Sequence, residues 1–192
     1  MKSKKISKPS IVTFFDSIEY LFFWLRWFYP KAKGIGPAYL LYTFFPQKVL
    51  RINGNVKWPV HFTSRVLYSK NIEIGNRSAP GLNSNCYIQG RGGIQIGHNL
   101  RMGPGVGLIS ANHDMSDYDQ WIRKPPLKIG NNVWIGMNSV ILPAVDIGDN
   151  VVIGANSVVN DNIPSNSIAA GSPCKVIKEK PPYEGKDYSA LS

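Results

Sequence analysis

Few side chains in this 192-residue sequence are of the types that carry out chemistry on their own. Two cysteines and three histidines exclude a disulfide-built scaffold, a zinc site of four thiolates and a histidine-rich metal centre. His113 stands out because it lies in a polar segment, residues 110–128, that interrupts an otherwise regular repeat. Histidine is the side chain best suited to accept a proton near neutral pH. Because no serine or cysteine lies in a recognisable nucleophile elbow, we do not expect a covalent enzyme intermediate.

The formal net charge of +10 lies entirely within residues 1–70, where twelve Lys and Arg stand against Asp16 and Glu19. Residues 71–192 hold ten basic and ten acidic residues. The sequence therefore predicts a neutral body with a basic, aromatic head. Since the basic residues of the head are mixed with bulky apolar ones and no nucleic-acid-binding motif accompanies them, nucleic acid is not expected as a partner.

The head, residues 1–65, begins with four lysines and continues as an aromatic stretch over residues 11–29. Three charged residues interrupt this stretch, so neither a signal peptide nor a transmembrane span is predicted. Lysines before an aromatic amphipathic segment are typical of a helix that lies among lipid headgroups. This pattern favours contact with a membrane surface through residues 1–45. The expected location is the cytoplasm, with peripheral attachment to the inner face of the cell membrane. Packing of the aromatics on the body or on a neighbouring subunit is the alternative.

A six-residue repeat governs the body. From Ile129 the sequence reads IGNNVW, IGMNSV, ILPAVD, IGDNVV, IGANSV, VNDNIP, with a branched aliphatic residue at every first position. Glycine takes the second position in four repeats, and asparagine takes the fourth position in five. A helix would need a period of 3.6 and a half-buried strand a period of 2. A period of six instead fills a narrow coil, with Gly and Asn at its corners, and stacked coils bury a continuous core.

The same repeat occurs less strictly upstream, where Cys86 falls on an inward position and is expected to be a small core residue. The frame breaks once, over residues 110–128, which should project as a loop. The sequence therefore predicts an all-β chain with a parallel β-helix over residues 66–178. The arm and cap of residues 1–65 precede it, and a tail of residues 179–192 follows.

With these segments identified, the chain resembles the hexapeptide-repeat acyltransferases. It is most similar to galactoside and maltose O-acetyltransferases and to acetyltransferases of capsule and exopolysaccharide clusters. The segments that carry the resemblance are IGHNLRMGPGV, ANHD, KIGNNVWIGMNSVILPAV, IGDNVVIGANSVV and AAGSPCKVIK. The resemblance implies a left-handed parallel β-helix, a hand that parallel crossovers otherwise seldom take. It also implies acetyl-CoA as the donor, no required metal, and a homotrimer with active sites between subunits.

The resemblance assigns His113 as the general base that takes the proton of an acceptor hydroxyl during attack on a thioester. Asp114 is expected beside it. The acceptor site of the family includes an asparagine on the preceding coil, which matches Asn83. An acidic pair that contacts sugar in the family falls on Gly90 and Arg91 here, and this departure favours an anionic sugar or a polymer repeat unit.

Trp121, in the projecting loop, is expected to stack on a sugar ring or on the neighbouring subunit. For the donor, the resemblance points to the later coils, where backbone amides and basic side chains hold CoA. The matching positions are Met137 and Ala155 for backbone contact, Asn160 and Asp161 at the turn between pantetheine and nucleotide, Lys175 and Lys178 for the phosphates, and Trp134 beside the groove.

The predicted function is acetyl-CoA-dependent O-acetylation of a surface polysaccharide or its lipid-linked sugar precursor. Transfer to an amino sugar or a small-molecule acceptor is an alternative, because the loop histidine could serve an amine equally well. A non-catalytic solenoid that anchors a synthesis complex at the membrane is an alternative of another class. A metal-dependent β-helix enzyme would need three converging histidines, a spacing that His61, His98 and His113 do not have.

Overall fold

Short strands of two to five residues, joined by tight corners, dominate the computed structural model, which describes residues 24–122 and 124–191. The four lysines and the start of the aromatic stretch in the head lie outside the described residues. The elements in chain order are α1 (Leu25–Phe28), α2 (Pro37–Phe44), a π-helical turn (Phe45–Val49), β1 (Arg65–Leu67), a 3-10 turn (Ser69–Asn71), β2 (Ile72–Ile74), β3 (Tyr87–Gln89), β4 (Ile94–Ile96), β5 (Arg101–Met102), β6 (Gly107–Ile109), β7 (Leu127–Ile129), β8 (Trp134–Ile135), β9 (Val140–Ile141), β10 (Asp146–Ile147), β11 (Val152–Ile153), β12 (Val158–Val159), β13 (Ser167–Ala170) and β14 (Lys175–Glu179).

The strands form three parallel sheets that the chain visits in rotation. Sheet A has the order β1-β3-β6-β9-β12, sheet B has β2-β4-β7-β10, and sheet C has β5-β8-β11-β13 with β14 antiparallel at its edge. Because consecutive strands belong to different sheets, each circuit of the chain closes one triangular coil. The fold is the predicted left-handed parallel β-helix.

The length of each coil follows from the strand register. Ile129 pairs with Ile147, the first residue of the third repeat after it, so a regular coil consists of three repeats. An earlier coil is somewhat longer, since Ile72 pairs with Ile94. The step from Ile96 to its partner Ile129 is nearly twice as long as a regular coil. This excess is the predicted loop, and it lies between sheets A and B.

The core of the coil contains the repeat positions that the sequence marks as inward. The six first-position residues are each at most 3% exposed: Ile129, Ile135, Ile141, Ile147, Ile153 and Val159. Burial of such a side chain contributes about 1.5–3 kcal/mol. Cys86 is 2% exposed in the same core, and burial raises the pKa of its thiol, as expected of a structural residue.

The corners have two different requirements. Four repeat asparagines adopt the left-handed region at φ between 55° and 57°, a conformation that asparagine tolerates well; they are Asn132, Asn138, Asn150 and Asn156. The repeat glycines serve another purpose, which is the close approach of stacked coils. A Cβ on Gly136 would lie 2.5 Å from the backbone nitrogen of Ala155 in the next coil.

The segment before β1 covers the open end of the first coil. Val56, Trp58 and Val60 belong to the same buried cluster as the strands. The Trp58 indole donates to the carbonyl of Pro80 at 2.9 Å, and the buried Gln47 side chain donates to the carbonyl of Trp58 at 2.9 Å. The first bond joins the cap to the coil, and the second pairs a buried carbonyl within the cap.

The tail runs back over the corner between sheets B and C. Its backbone carbonyls at Pro181 and Tyr188 accept hydrogen bonds from the side-chain amides of Asn150 and Asn76 at 3.0 and 2.9 Å. The amide of Asn99 donates to the hydroxyl of Tyr183 at 3.0 Å. The tail therefore fastens coils that are far apart in sequence.

Replacement of Gly136 by alanine should destabilise the protein, because the added Cβ meets backbone rather than a movable side chain. Overpacking of this kind costs about 1–3 kcal/mol. Gly107→Ala is the matched control, since a Cβ there would lie 3.5 Å from Val140 in ordinary contact. Urea denaturation should show a loss for the first variant and little change for the second. Equal stability of both would contradict this account of coil stacking.

Candidate active site

The loop that breaks the repeat forms a short antiparallel hairpin between β6 and β7. His113 and Trp121 form a β-bridge, and the Asp114 amide donates to the carbonyl of Gln120 at 3.0 Å. The hairpin projects from the corner between sheets A and B, as the sequence predicts for an insertion. Its His113 side chain is exposed to solvent and therefore accessible to a substrate.

A buried glutamine anchors the start of this loop. Gln89, at the end of β3, is 6% exposed. Its side-chain oxygen accepts hydrogen bonds from the backbone amides of Ser110 and Ala111. Its side-chain nitrogen donates to the carbonyl of Ala111 at 3.1 Å. A buried amide so fully bonded holds the chain where it leaves the coil. The sequence analysis missed this role. The sequence signal for it was a glutamine in β3, one coil before the loop that breaks the repeat.

Trp121 contacts both His113 and Arg91. The rings of His113 and Trp121 lie 3.8 Å apart between centroids and are tilted by 39°. The guanidinium carbon of Arg91, from the preceding coil, lies 3.9 Å from the centroid of the Trp121 ring. Arg91 also donates from Nη2 to the hydroxyl of Tyr68 at 2.6 Å. A cation over tryptophan contributes about 0.5–2 kcal/mol. The structure thus brings together His113, Trp121 and Arg91, and it adds Tyr68, which the sequence analysis did not single out.

Asp114, next to His113 in the chain, makes its side-chain hydrogen bonds within the loop. Its carboxylate accepts hydrogen bonds from the hydroxyl and the amide of Ser116, and these two bonds lower the pKa of Asp114. Among the hydrogen bonds of the described residues, none joins this carboxylate to His113. Asp114 therefore shapes a turn of the hairpin.

Asn83 lies at another corner of the coil, between sheets C and A. Its side-chain amide donates to the carbonyl of Met102 in sheet C, and the neighbouring carbonyl of Ser84 accepts from Gly105. Sheet A separates this corner from the loop. The width of sheet A, about five extended residues, corresponds to about 16 Å between the two corners. Within one chain, Asn83 and His113 are therefore not brought together.

The expected donor residues Met137 and Ala155 lie at this same corner, on successive coils. The Asn156 amide donates to the carbonyl of Met137 at 2.9 Å, which stacks the two corners. The backbone amides of Met137 and Ala155 make no hydrogen bond to any described residue, so both can donate to a ligand. Trp134, 58% exposed on the outer face of sheet C, lies just before this corner.

The remaining residues expected at the donor site lie on exposed surface near the end of the coil. Lys175 forms an ion pair with Asp161 at 3.0 Å, and both side chains are more than 60% exposed. Exposed pairs contribute only about 0–1 kcal/mol, so a phosphate could displace Asp161 at little cost. Asn160 is exposed beside Asp161, and Lys178 is exposed in β14 opposite Ile168.

The other histidines have structural contacts. His98 Nδ1 accepts from the backbone amide of Asn76 at 2.9 Å, which links two coils, and His61 bonds to Tyr42 on the cap at 3.0 Å. Over residues 24–122 and 124–191, no three His, Cys, Asp or Glu side chains converge as a metal-ligand set.

Replacement of Trp121 by alanine should shift the ring-proton resonances of His113 downfield, because the shielding indole face at 3.8 Å is removed. Proton–carbon NMR of histidine-labelled protein measures this shift. Tyr118→Ala is the control, since this exposed ring of the same loop makes no ring contact with His113 in the described chain. An unchanged His113 resonance in the Trp121 variant would show that this ring contact does not form in solution.

Comparison with known proteins identifies the family. A family model described as bacterial transferase hexapeptide (six repeats) matches residues 126–161. Galactoside O-acetyltransferase of Escherichia coli K12 is 41% identical over 150 residues, which cover 73% of this chain and 70% of that protein. A maltose O-acetyltransferase structure from Clostridium difficile 630 is 27% identical with a TM-score of 0.57, covering 91% of this chain and 90% of that one. A galactoside acetyltransferase structure in complex with coenzyme A is 28% identical with a TM-score of 0.58, covering 97% and 93%. The chain belongs to the hexapeptide-repeat acetyltransferases.

Proposed function

We propose that this chain is an acetyl-CoA-dependent O-acetyltransferase that acts on a hydroxyl of a surface polysaccharide or of its lipid-linked sugar precursor. The observation that carries the proposal is the exposed His113 ring, in contact with Trp121 at the break in the repeat. The family relatives support the reaction class, since two of them are named galactoside and maltose O-acetyltransferases. An acceptor carried on a lipid would place the enzyme peripherally at a membrane surface.

The donor side rests on the corner between sheets C and A. One related structure contains coenzyme A. The free amides of Met137 and Ala155 suit the amide carbonyls of a pantetheine arm, and the exposed Trp134 offers an apolar wall. Lys175 and Lys178 supply positive charge for phosphate farther along, with Asn160 and Asp161 at the turn between pantetheine and nucleotide. No metal is required by this arrangement.

The proposed reaction needs only one proton-transfer group. His113 takes the proton from the acceptor hydroxyl while its oxygen attacks the thioester carbonyl of acetyl-CoA. A carbon–oxygen bond forms, the carbon–sulfur bond breaks, and the imidazolium returns the proton to the leaving thiolate of CoA. General base catalysis contributes about 10²–10⁴-fold. Trp121 contributes by restricting the ring of His113, which reduces the entropy lost on reaching the reactive geometry.

The acceptor side carries positive charge. Arg91 is held by Trp121 and by Tyr68, so its planar guanidinium is pre-positioned against the ring that also contacts His113. Such a fork binds a carboxylate or phosphate better than a neutral hydroxyl. The acceptor is therefore proposed to be an anionic sugar or a polymer repeat unit rather than a simple neutral disaccharide.

The complete site is proposed to form between subunits of a homotrimer. His113 and the donor corner lie on opposite edges of sheet A within one chain, so a neighbouring copy is needed to bring them together. The outer faces of sheets A and C support this, because they carry apolar residues such as Tyr87, Val140, Trp134 and Val152. The outer face of sheet B is instead polar and exposed, with Glu73, Gln95, Lys128 and Asp146. Apolar faces are the ones that subunits cover.

Replacement of His113 by alanine should lower kcat by about 10²–10⁴-fold, because the attacking hydroxyl loses its base. CoA thiol release in the presence of an anionic glycan measures this, and hydroxylamine treatment of the product distinguishes an ester from an amide. His61→Ala is the control, since this histidine lies on the cap away from the loop. Full turnover by the His113 variant would contradict the proposed chemistry.

Replacement of Arg91 by glutamine should raise KM for an anionic acceptor by about 10–100-fold, the cost of a lost hydrogen bond to a charged group. The KM for a neutral acceptor should change little. Lys124→Gln serves as the control for general electrostatic attraction, because this exposed lysine lies in the same loop. An equal rise of KM for neutral and anionic acceptors in the Arg91 variant would mean that Arg91 does not read acceptor charge.

A further inference from the structure

Helix α2 and the turn after it have a buried face and an exposed apolar face. The buried face includes Pro37, Leu40, Thr43 and Gln47. The opposite face is exposed and apolar, with Leu41, Phe45 and Val49 at successive spacings of four residues. A surface helix of an isolated globular protein carries polar residues on its outer face. The outer face of α2 is thus suited to contact with a partner outside the described residues.

The exposed apolar surface extends beyond the helix as far as Ile52. It comprises six side chains between 36% and 60% exposed, here called the α2 face: Leu41, Tyr42, Phe45, Val49, Leu50 and Ile52. Edge-to-face contacts of Phe44 with Trp24 and Phe28 join it to α1, where Trp27 is 88% exposed. Scattered exposed apolar residues are ordinary, whereas a contiguous group marks an interaction site.

The charge around the α2 face has one sign. Residues 24–72 contain eight Lys and Arg and no Asp or Glu. Arg51 lies between Leu50 and Ile52 and is exposed. The four lysines at the start of the chain precede this region in the sequence. Aromatic and aliphatic side chains surrounded only by cations complement an anionic lipid surface.

We propose that the α2 face docks the protein on an anionic bilayer and presents the acceptor side of the active site to that bilayer. The reason for presenting this side rests on the proposed function, whereas the docking itself does not. Among the described residues no helix is long and apolar enough to cross a membrane. The docking is therefore contact with one leaflet.

The position of the α2 face determines which end of the β-helix faces the bilayer. Gln47, on the inner side of the same segment, bonds to the cap that covers the first coil. The His113 loop leaves sheet A after β6, two strands beyond β1, which is about 10 Å along the axis of the coil. Arg91 and Tyr68 lie nearer still to the cap. The donor residues Ala155 and Lys175 belong to later coils, farther from the bilayer.

A second copy of this chain, docked with its α2 face against this one, is a poorer occupant. Contact between two α2 faces would place like charges against each other, which costs free energy. In a cyclic trimer whose axis runs along the coils, all three α2 faces instead lie at the same end. Three weak lipid contacts then act together and raise the overall affinity.

Flotation of the full-length protein with vesicles tests the proposal. The vesicles contain phosphatidylcholine alone or phosphatidylcholine and phosphatidylglycerol in equal parts. Wild type should float with the anionic vesicles and stay at the bottom with the neutral ones. Leu50→Glu should abolish flotation, and Arg51→Gln should weaken vesicle binding about fivefold, the effect of one cation near the surface. Ile177→Glu is the matched control, because this side chain is 64% exposed in β14 at the opposite end.

Each outcome bears on the proposal. Absence of flotation for wild type, or equal flotation of Leu50→Glu and wild type, would overturn it. If Leu50→Glu instead reduces the mass in analytical ultracentrifugation while its circular dichroism is unchanged, the α2 face is a subunit contact and the proposal is wrong. Because flotation requires no turnover, a protein that floats but transfers no acetyl group would refute the proposed function alone.

Discussion

The close stacking of coils is the constraint on which the rest of this structure depends. A coil of three repeats can recur only if the backbone of one corner passes within van der Waals contact of the next, which leaves no room for a Cβ at Gly136. Asparagines in the left-handed region turn the chain at the neighbouring positions. Once this spacing is set, every residue has a determined sheet, face and height along the axis. An insertion can then leave the coil only at a corner.

The sequence reveals most of this architecture because each repeat carries its own signal. The inward aliphatics, the loop and four of the five repeat asparagines are found as the period of six predicts, whereas Asn162 does not adopt the left-handed region. A role in turning the chain at corners does not account for Gly136, which has no positive φ and instead allows the next coil to approach closely. Contacts between coils were harder to predict. Gln89 and Tyr68 form hydrogen bonds with residues of a neighbouring coil. Because these coils are longer than three regular repeats, the period of six does not predict which residues pair.

The candidate site shows the same limit. Spacing alone could not show that Arg91 reaches Trp121, because their contact depends on how the hairpin folds back over the coil above. It also could not show that Asn83 lies at the corner of Met137 and Ala155 and across sheet A from His113. In the head, the aromatic pattern indicated an interaction surface, but only the packing of Leu40 and Gln47 shows which side of α2 is left exposed. The residues before Trp24 lie outside the described chain.

In the proposed homotrimer, the loop histidine of one subunit meets the donor corner of another. Co-expression of two inactive variants tests it directly, with His113→Ala on one chain and Ala155→Trp, which fills the donor corner, on the other. If the site lies between subunits, mixed trimers contain some sites with an intact histidine and an intact donor corner, and thiol release should return. If both halves belonged to the same chain, every site would carry a defect and the mixture would stay inactive.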